Sequence, residues 1–144
     1  MVHLDIGARE FRRRFESLCL GGVGPGLPRR RRDAQILLKA ASLALVPHSP
    51  CSEAELDNVL DGWLWAVGPR VELDRVGLRR SLVDEGYLLR DSAGRSYRLG
   101  PGPAGVSFAA DIDEIDPIGV VEEARNRQER ARALHQSRDR REVD

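Results

Sequence analysis

Few side chains in this sequence can do chemistry, and most of those that can are guanidinium groups. His48 and Cys51 form an H-x-x-C pair, but a structural zinc site takes four ligands. The other candidates, His3, Cys19 and His135, are scattered along the chain. Asp111, Asp113, Glu114 and Asp116 form an acidic cluster that lacks the glycine and the spacing of a calcium loop. It reads instead as acid gathered ahead of a helix N-terminus, where the helix dipole favours negative charge. The sequence shows no Gly-rich phosphate loop, no Ser-His-Asp set and no paired-carboxylate site. These residues describe a protein that is not an enzyme, with no catalytic residues, no metal and no cofactor.

The arginines are another matter. Arg75, Arg79 and Arg80 fall between the apolar positions Val76, Leu78, Leu82 and Val83, so they point outward or sideways from a helix. Arg90, Arg95 and Arg98 follow on a short hairpin. A guanidinium is a permanently charged planar fork that suits phosphate oxygens and guanine edges. Arg30 and Arg31 belong to a run of four, Arg29 to Arg32, in the first turn of a helix. That run opposes the helix dipole unless it helps to hold a phosphate. The alternative is structural: Arg79 could pair with Asp84, Glu53 or Glu55 and serve only the fold.

The elements that must position these side chains are legible. Asp74 is an N-cap, Gly86 a left-handed C′ residue, and Asp91-Ser92-Ala93-Gly94 the turn of the hairpin. Upstream, Ser52-Glu53-Ala54-Glu55 is a capping box before the stripe Leu56, Val59, Leu60, Trp63, Leu64 and Val67. Ile36 to Leu45 predicts a central buried helix. Three helices followed by a hairpin is the order of a winged helix-turn-helix, whose third helix enters the major groove. Trp65 lies about 140° from Leu60 at about 100° per residue, off the buried stripe, so it either meets a partner or packs under the wing.

Two extensions flank this core. Leu4, Ala8, Phe11, Phe15 and Leu18 are spaced four, three, four and three, which predicts a helix from about Asp5 to Leu20. Its stripe must bury itself against its own domain or against a second copy. Asp116-Pro117 opens a long polar helix whose thin apolar stripe includes Ala131 and Leu134, with Glu123 placed to pair with Arg127. Glycine- and proline-rich runs divide the chain into residues 1–26, 27–100 and 101–144. The expected fold class is therefore mainly α (α+β), a winged-helix core with an added N-terminal helix and a long C-terminal helix.

The formal net charge is +0, with 23 basic and 23 acidic side chains. This argues against a protein that coats nucleic acid through bulk charge. The charge is segregated, however. Residues 1–32 hold eight arginines against three acids, while residues 100–116 hold four acids and no base. No apolar run approaches the ~18 residues of a membrane span, and the first residues lack a signal-peptide core, so no membrane partner and a cytoplasmic location are expected. Cys19 and Cys51 read as free, buried thiols.

From Leu27 to Leu99 the chain resembles the bacterial domain-of-unknown-function family 2087. The resemblance rests on Leu27-Pro28 with Arg29 to Arg32, on Ser52 to Glu55, on Leu78-Arg79-Arg80-Ser81-Leu82-Val83-Asp84-Glu85-Gly86, and on Leu88-Leu89-Arg90 with Gly94 and Tyr97. It covers about half of the chain, and Leu78 to Gly86 is its most specific part. Asp57 stands where members of that family carry Asn, and the stretch from Trp63 to Glu72 is longer than their connection. The resemblance implies a winged-helix-like module often found with transcriptional regulators.

The expectation is a homodimeric regulator that binds double-stranded DNA. Arg75, Arg79, Arg80, Arg90, Arg95, Arg98, Arg30 and Arg31 would contact the DNA, and Phe11, Phe15, Leu18, Trp65 and Leu134 would contact the partner copy. The alternative is a protein-interaction scaffold that uses the same fold without DNA. The acidic segment around Asp113 is a further candidate, as an internal cover for the Arg79 face.

Overall fold

The computed structural model describes residues 3–143, with side chains through residue 141. A short strand, Leu4–Ile6 (β1), precedes helix α1, Ala8–Gly21. The predicted helix thus begins about three residues late. Gly7 is extended at the N-cap, and β1 pairs in parallel with Val106–Phe108 (β4), Leu4 opposite Val106 and Ile6 opposite Phe108. The four-three spacing that runs on to Leu4 is shared by chance with a strand whose Ile6 turns into the core.

Helix α2 spans Arg31–Leu45 and starts three residues after Pro28. It is the central element: Ile36, Leu37, Leu38, Ala40, Ala41 and Leu45 are all buried. Helices α3, Glu53–Val67, and α4, Arg75–Asp84, pack on α2 and on each other. Their starts follow the sequence. The Ser52 hydroxyl accepts from the Glu55 N–H at 3.2 Å, and Asp74 accepts from the Gly77 N–H. The Glu55 carboxylate reaches back to the Ser52 hydroxyl rather than to its backbone N–H. Helix α4 closes on Gly86 at φ +81°, where only glycine sits without strain. The chain then enters an antiparallel hairpin, Leu88–Arg90 (β2) and Tyr97–Leu99 (β3). A single bridge pairs Cys51 with Tyr97 on the outer side of β3.

After β4, a 3₁₀ turn at Ala110–Glu114 leads into α5, Pro117–Val143. Val121 and Ala124 of α5 are buried, and α5 packs along α1. One continuous core therefore draws on residues from Ile6 to Val121. Phe11 and Phe15 stack at 6.2 Å within it, and Phe15 meets Trp63. The fold is mainly helical with two small sheets.

Three expectations need correction. Phe11, Phe15 and Leu18, read as partner contacts, are buried inside the chain's own core. Parallel pairing of β1 with β4 draws both flanking segments onto the three-helix unit, which uses that apolar stripe internally. Asp113 pairs with Lys39 of α2 at 2.9 Å rather than covering Arg79. Arg127 pairs with Glu16 of α1 at 2.9 Å rather than with Glu123, because docking on α1 brings Glu16 to it.

Candidate nucleic-acid interface

Helix α4 is held by Leu78 and Leu82, both fully buried. Its other faces carry the arginines, and these divide into two groups. Arg79 Nη1 donates to Asp57 at 2.8 Å and lies 2.9 Å from Glu53, both on α3. Arg75 Nη1 donates to Asp61 at 2.9 Å, and its Nε lies 3.8 Å from Asp57. The hydrogen bond to Asp61 is the main reason that the Arg75 pKa rises above its ordinary value, with the charges of Asp61 and Asp57 adding to it. These two arginines lash α4 to α3. The pattern was available in the sequence, since Asp57 and Asp61 are four apart, as are Arg75 and Arg79. The spacing alone does not pair the two rows; the packing of α4 on α3 brings them together.

The second group is turned to solvent. Arg80, Arg90, Arg95 and Arg98 are exposed, and none has an acidic partner among the described residues. Val76, Arg79, Arg80, Val83, Arg90 and Tyr97 line a shallow cleft of about 220 Å³ between α4 and the hairpin. Glu53 and Asp84 also stand on its walls. The Arg90 guanidinium lies 5.9 Å from the centre of the Tyr97 ring, a cation–π distance. It also crosses Gly94, where an added Cβ would lie 2.6 Å from Arg90 Nη2. Gly94 therefore serves both the turn, at φ +70°, and the placement of Arg90. Asp91 closes the turn by accepting from the Gly94 N–H with its carbonyl and from the Arg95 N–H with its carboxylate.

The remaining predicted site residues lie elsewhere. Arg31 is 3.7 Å from Glu85 and links the start of α2 to the end of α4. Arg30 is exposed and lines a separate groove with Arg14, Leu18 and Asp33. Arg32 is tied down by Glu10 at 2.8 Å and by the Asp5 carbonyl. Trp65 is 89% exposed, so it does not pack under the hairpin, and Leu134 is 66% exposed. Both thiols are buried, and burial pushes Cys19 up to about 12, against a smaller opposing effect of Arg125. Among the described residues, no group of three or more His, Cys, Asp or Glu side chains is placed to hold a metal. Nor is any helix among them long and apolar enough to cross a membrane.

Three helices and a hairpin on one core thus make a mainly α, α+β module, and its boundaries coincide with those of a known bacterial family. Residues 26–99 match the family described as "Uncharacterized protein conserved in bacteria (DUF2087)", and the chain belongs to that family. No curated protein and no solved structure matches it.

Proposed function

We propose that this chain is a DNA-binding winged-helix protein that acts as a transcriptional regulator in the bacterial cytoplasm, as a homodimer. The observation that carries this reading is the separation of the α4 arginines. Arg75 and Arg79 are spent on positioning the helix, which leaves Arg80 and Arg90 together on the cleft between α4 and the hairpin, and Arg95 and Arg98 exposed elsewhere on the hairpin, none with an acidic partner among the described residues. The order α2, α3, α4, β2, β3 is that of a winged helix, and the Cys51–Tyr97 bridge stands where a third strand would extend the hairpin. In this reading α4 lies in the major groove. Arg80 meets base edges or phosphates, the exposed Val76 meets a thymine methyl, and the hairpin arginines hold the adjacent backbone.

Fluorescence anisotropy on labelled duplex DNA tests this, using wild type and Arg80→Ala/Arg90→Ala at two salt concentrations. Wild type should bind, and its affinity should fall steeply with salt. The double variant should bind more weakly, with its stability lowered only by the loss of the exposed Arg90–Tyr97 contact, about 0.5–1 kcal/mol. Absence of binding at low salt overturns the reading. The second reading, a protein-interaction scaffold, is favoured by one observation of its own, the exposure of Trp65.

A further inference from the structure

Helix α5 continues far past the last residue that touches the core. Every residue from Asn126 to Arg141 is exposed. A helix that is polar all round needs a reason to persist, since short isolated helices are marginal in water. Its charges are not mixed evenly. At about 100° per residue, Arg127, Arg130, Leu134, Arg138 and Arg141 fall within roughly 80° of one another. Ala131 and Ser137 are the other residues of that side. The two acids of this span, Glu129 and Asp139, lie on the opposite side with Arg132 and Arg140. Charges set only for solubility would be interspersed.

The stripe does not end where α5 meets the body. Arg127 is bonded to Glu16 of α1. Glu16 shares an open face of α1 with Arg9, Arg12 and Arg13, all exposed and without an acidic partner among the described residues. Glu123 is the one acid of α5 on the stripe side near this junction. Arg127 to Arg141 spans about 21 Å at 1.5 Å per residue, and the α1 arginines lengthen the row.

We infer that this face of α1 and α5 is a second contact surface for nucleic-acid phosphates, separate from the α4 and hairpin surface. The inference rests on the nucleic-acid reading above but stands on different residues, all outside the segment that defines the family. From Arg130 to Arg141 the row has no acid on its side and matches a row of phosphates, while Glu16 and Glu123 interrupt it only at the junction with α1. A membrane surface fits less well, because an interfacial helix needs bulky apolar side chains along one face, and here Leu134 stands alone.

The test compares two double variants of the full chain that remove equal charge from the same helix. Arg130→Ala/Arg138→Ala strips the stripe, and Arg132→Ala/Arg140→Ala strips the opposite side. Affinity for a labelled ~30-base-pair duplex is read against salt concentration. The stripe variant should lower the slope of log affinity on log salt by about 1.8, at about 0.9 per lost phosphate contact, and the control should leave it unchanged. Equal loss in the two variants overturns the proposal, because bulk charge then explains the binding. Binding of wild type to phosphatidylserine vesicles but not to duplex also overturns it. If Arg80→Ala/Arg90→Ala binds as wild type does while the stripe variant is impaired, the α4 reading falls and this surface stands. If the stripe variant binds as wild type does while Arg80→Ala/Arg90→Ala is impaired, this surface falls and the α4 reading stands.

Discussion

A single guanidinium can be spent once, and Arg79 shows where. Its side chain is 22% exposed and bridges Glu53 and Asp57, so its removal leaves Asp57 partly buried with one hydrogen bond fewer. Arg79→Ala should cost about 1–2 kcal/mol, between an exposed ion pair and a buried charged hydrogen bond. Arg80→Ala should stay within about 0.5 kcal/mol, as surface substitutions do. Paired urea melts separate the two; equal costs would remove the clamp role from Arg79. Cys19 carries a second prediction. Its thiol is 1% exposed and its pKa is raised from 9.0 to about 12 in the fold. The fold favours the neutral thiol, so this contribution is intact below pH 9, where the unfolded thiol is also neutral. It is lost as pH rises from 9 towards 12, at about 1.4 kcal/mol per unit. Cys19→Ala should therefore lose less stability than wild type between pH 8 and pH 10.5, and parallel losses would count against it. At this scale the sequence displays residue types clearly, but which arginines face solvent is decided by α3, whose acids are distant in the chain.

Elements were legible where their signal is local. The caps at Ser52 and Asp74, the Gly86 stop and the hairpin turn at Gly94 all depend on residues within a few positions. Strand β1 is three residues long and gains definition only from its pairing with β4 about 100 positions away, which no local pattern records. The same pairing explains why the N-terminal stripe is an intramolecular one. This has a consequence for the family segment. Phe11 and Phe15 are fully buried, Phe11 against Phe108 of β4 and Phe15 against Trp63 of α3, and the loss of one buried phenylalanine costs about 3–5 kcal/mol. A fragment of residues 26–99 lacks both, together with β1, β4 and the docked turns of α5. It should show no cooperative thermal transition by circular dichroism, while a chain ending at residue 127 should melt as the whole chain does. A fragment 26–99 that melts as sharply as the full chain would show that α1 only decorates the module.

On the scale of the molecule, formal neutrality conceals an uneven distribution, with arginines on α1, the hairpin and the outer half of α5, and acids around α3 and the turn before α5. The apolar surface is uneven too. Trp65, with Leu64, Pro69, Val71, Leu73 and Arg125, lines an open groove of about 700 Å³ beside the point where α5 leaves the body. Large aromatic side chains this exposed are typical anchors of interfaces. The proposed homodimer places a second copy here, on Trp65; Leu134 lies nine residues beyond Arg125 and about 180° round α5 from it at about 100° per residue, so it belongs to the other side of that helix. A two-fold interface uses each residue twice, so an anchor worth about 2 kcal/mol per copy contributes about 4 kcal/mol to the dimer. Trp65→Ala should then weaken dimerisation on the order of 1,000-fold, while the exposed side chain contributes nothing to the melting of the protomer. Light scattering over a micromolar dilution series, run on wild type and Trp65→Ala, measures this. A dimer that the variant converts to monomer supports paired α4 helices meeting half-sites about 34 Å apart. A wild type that stays monomeric throughout removes the symmetric regulator and leaves Trp65 to a different protein, on a surface apart from the arginines proposed to meet DNA.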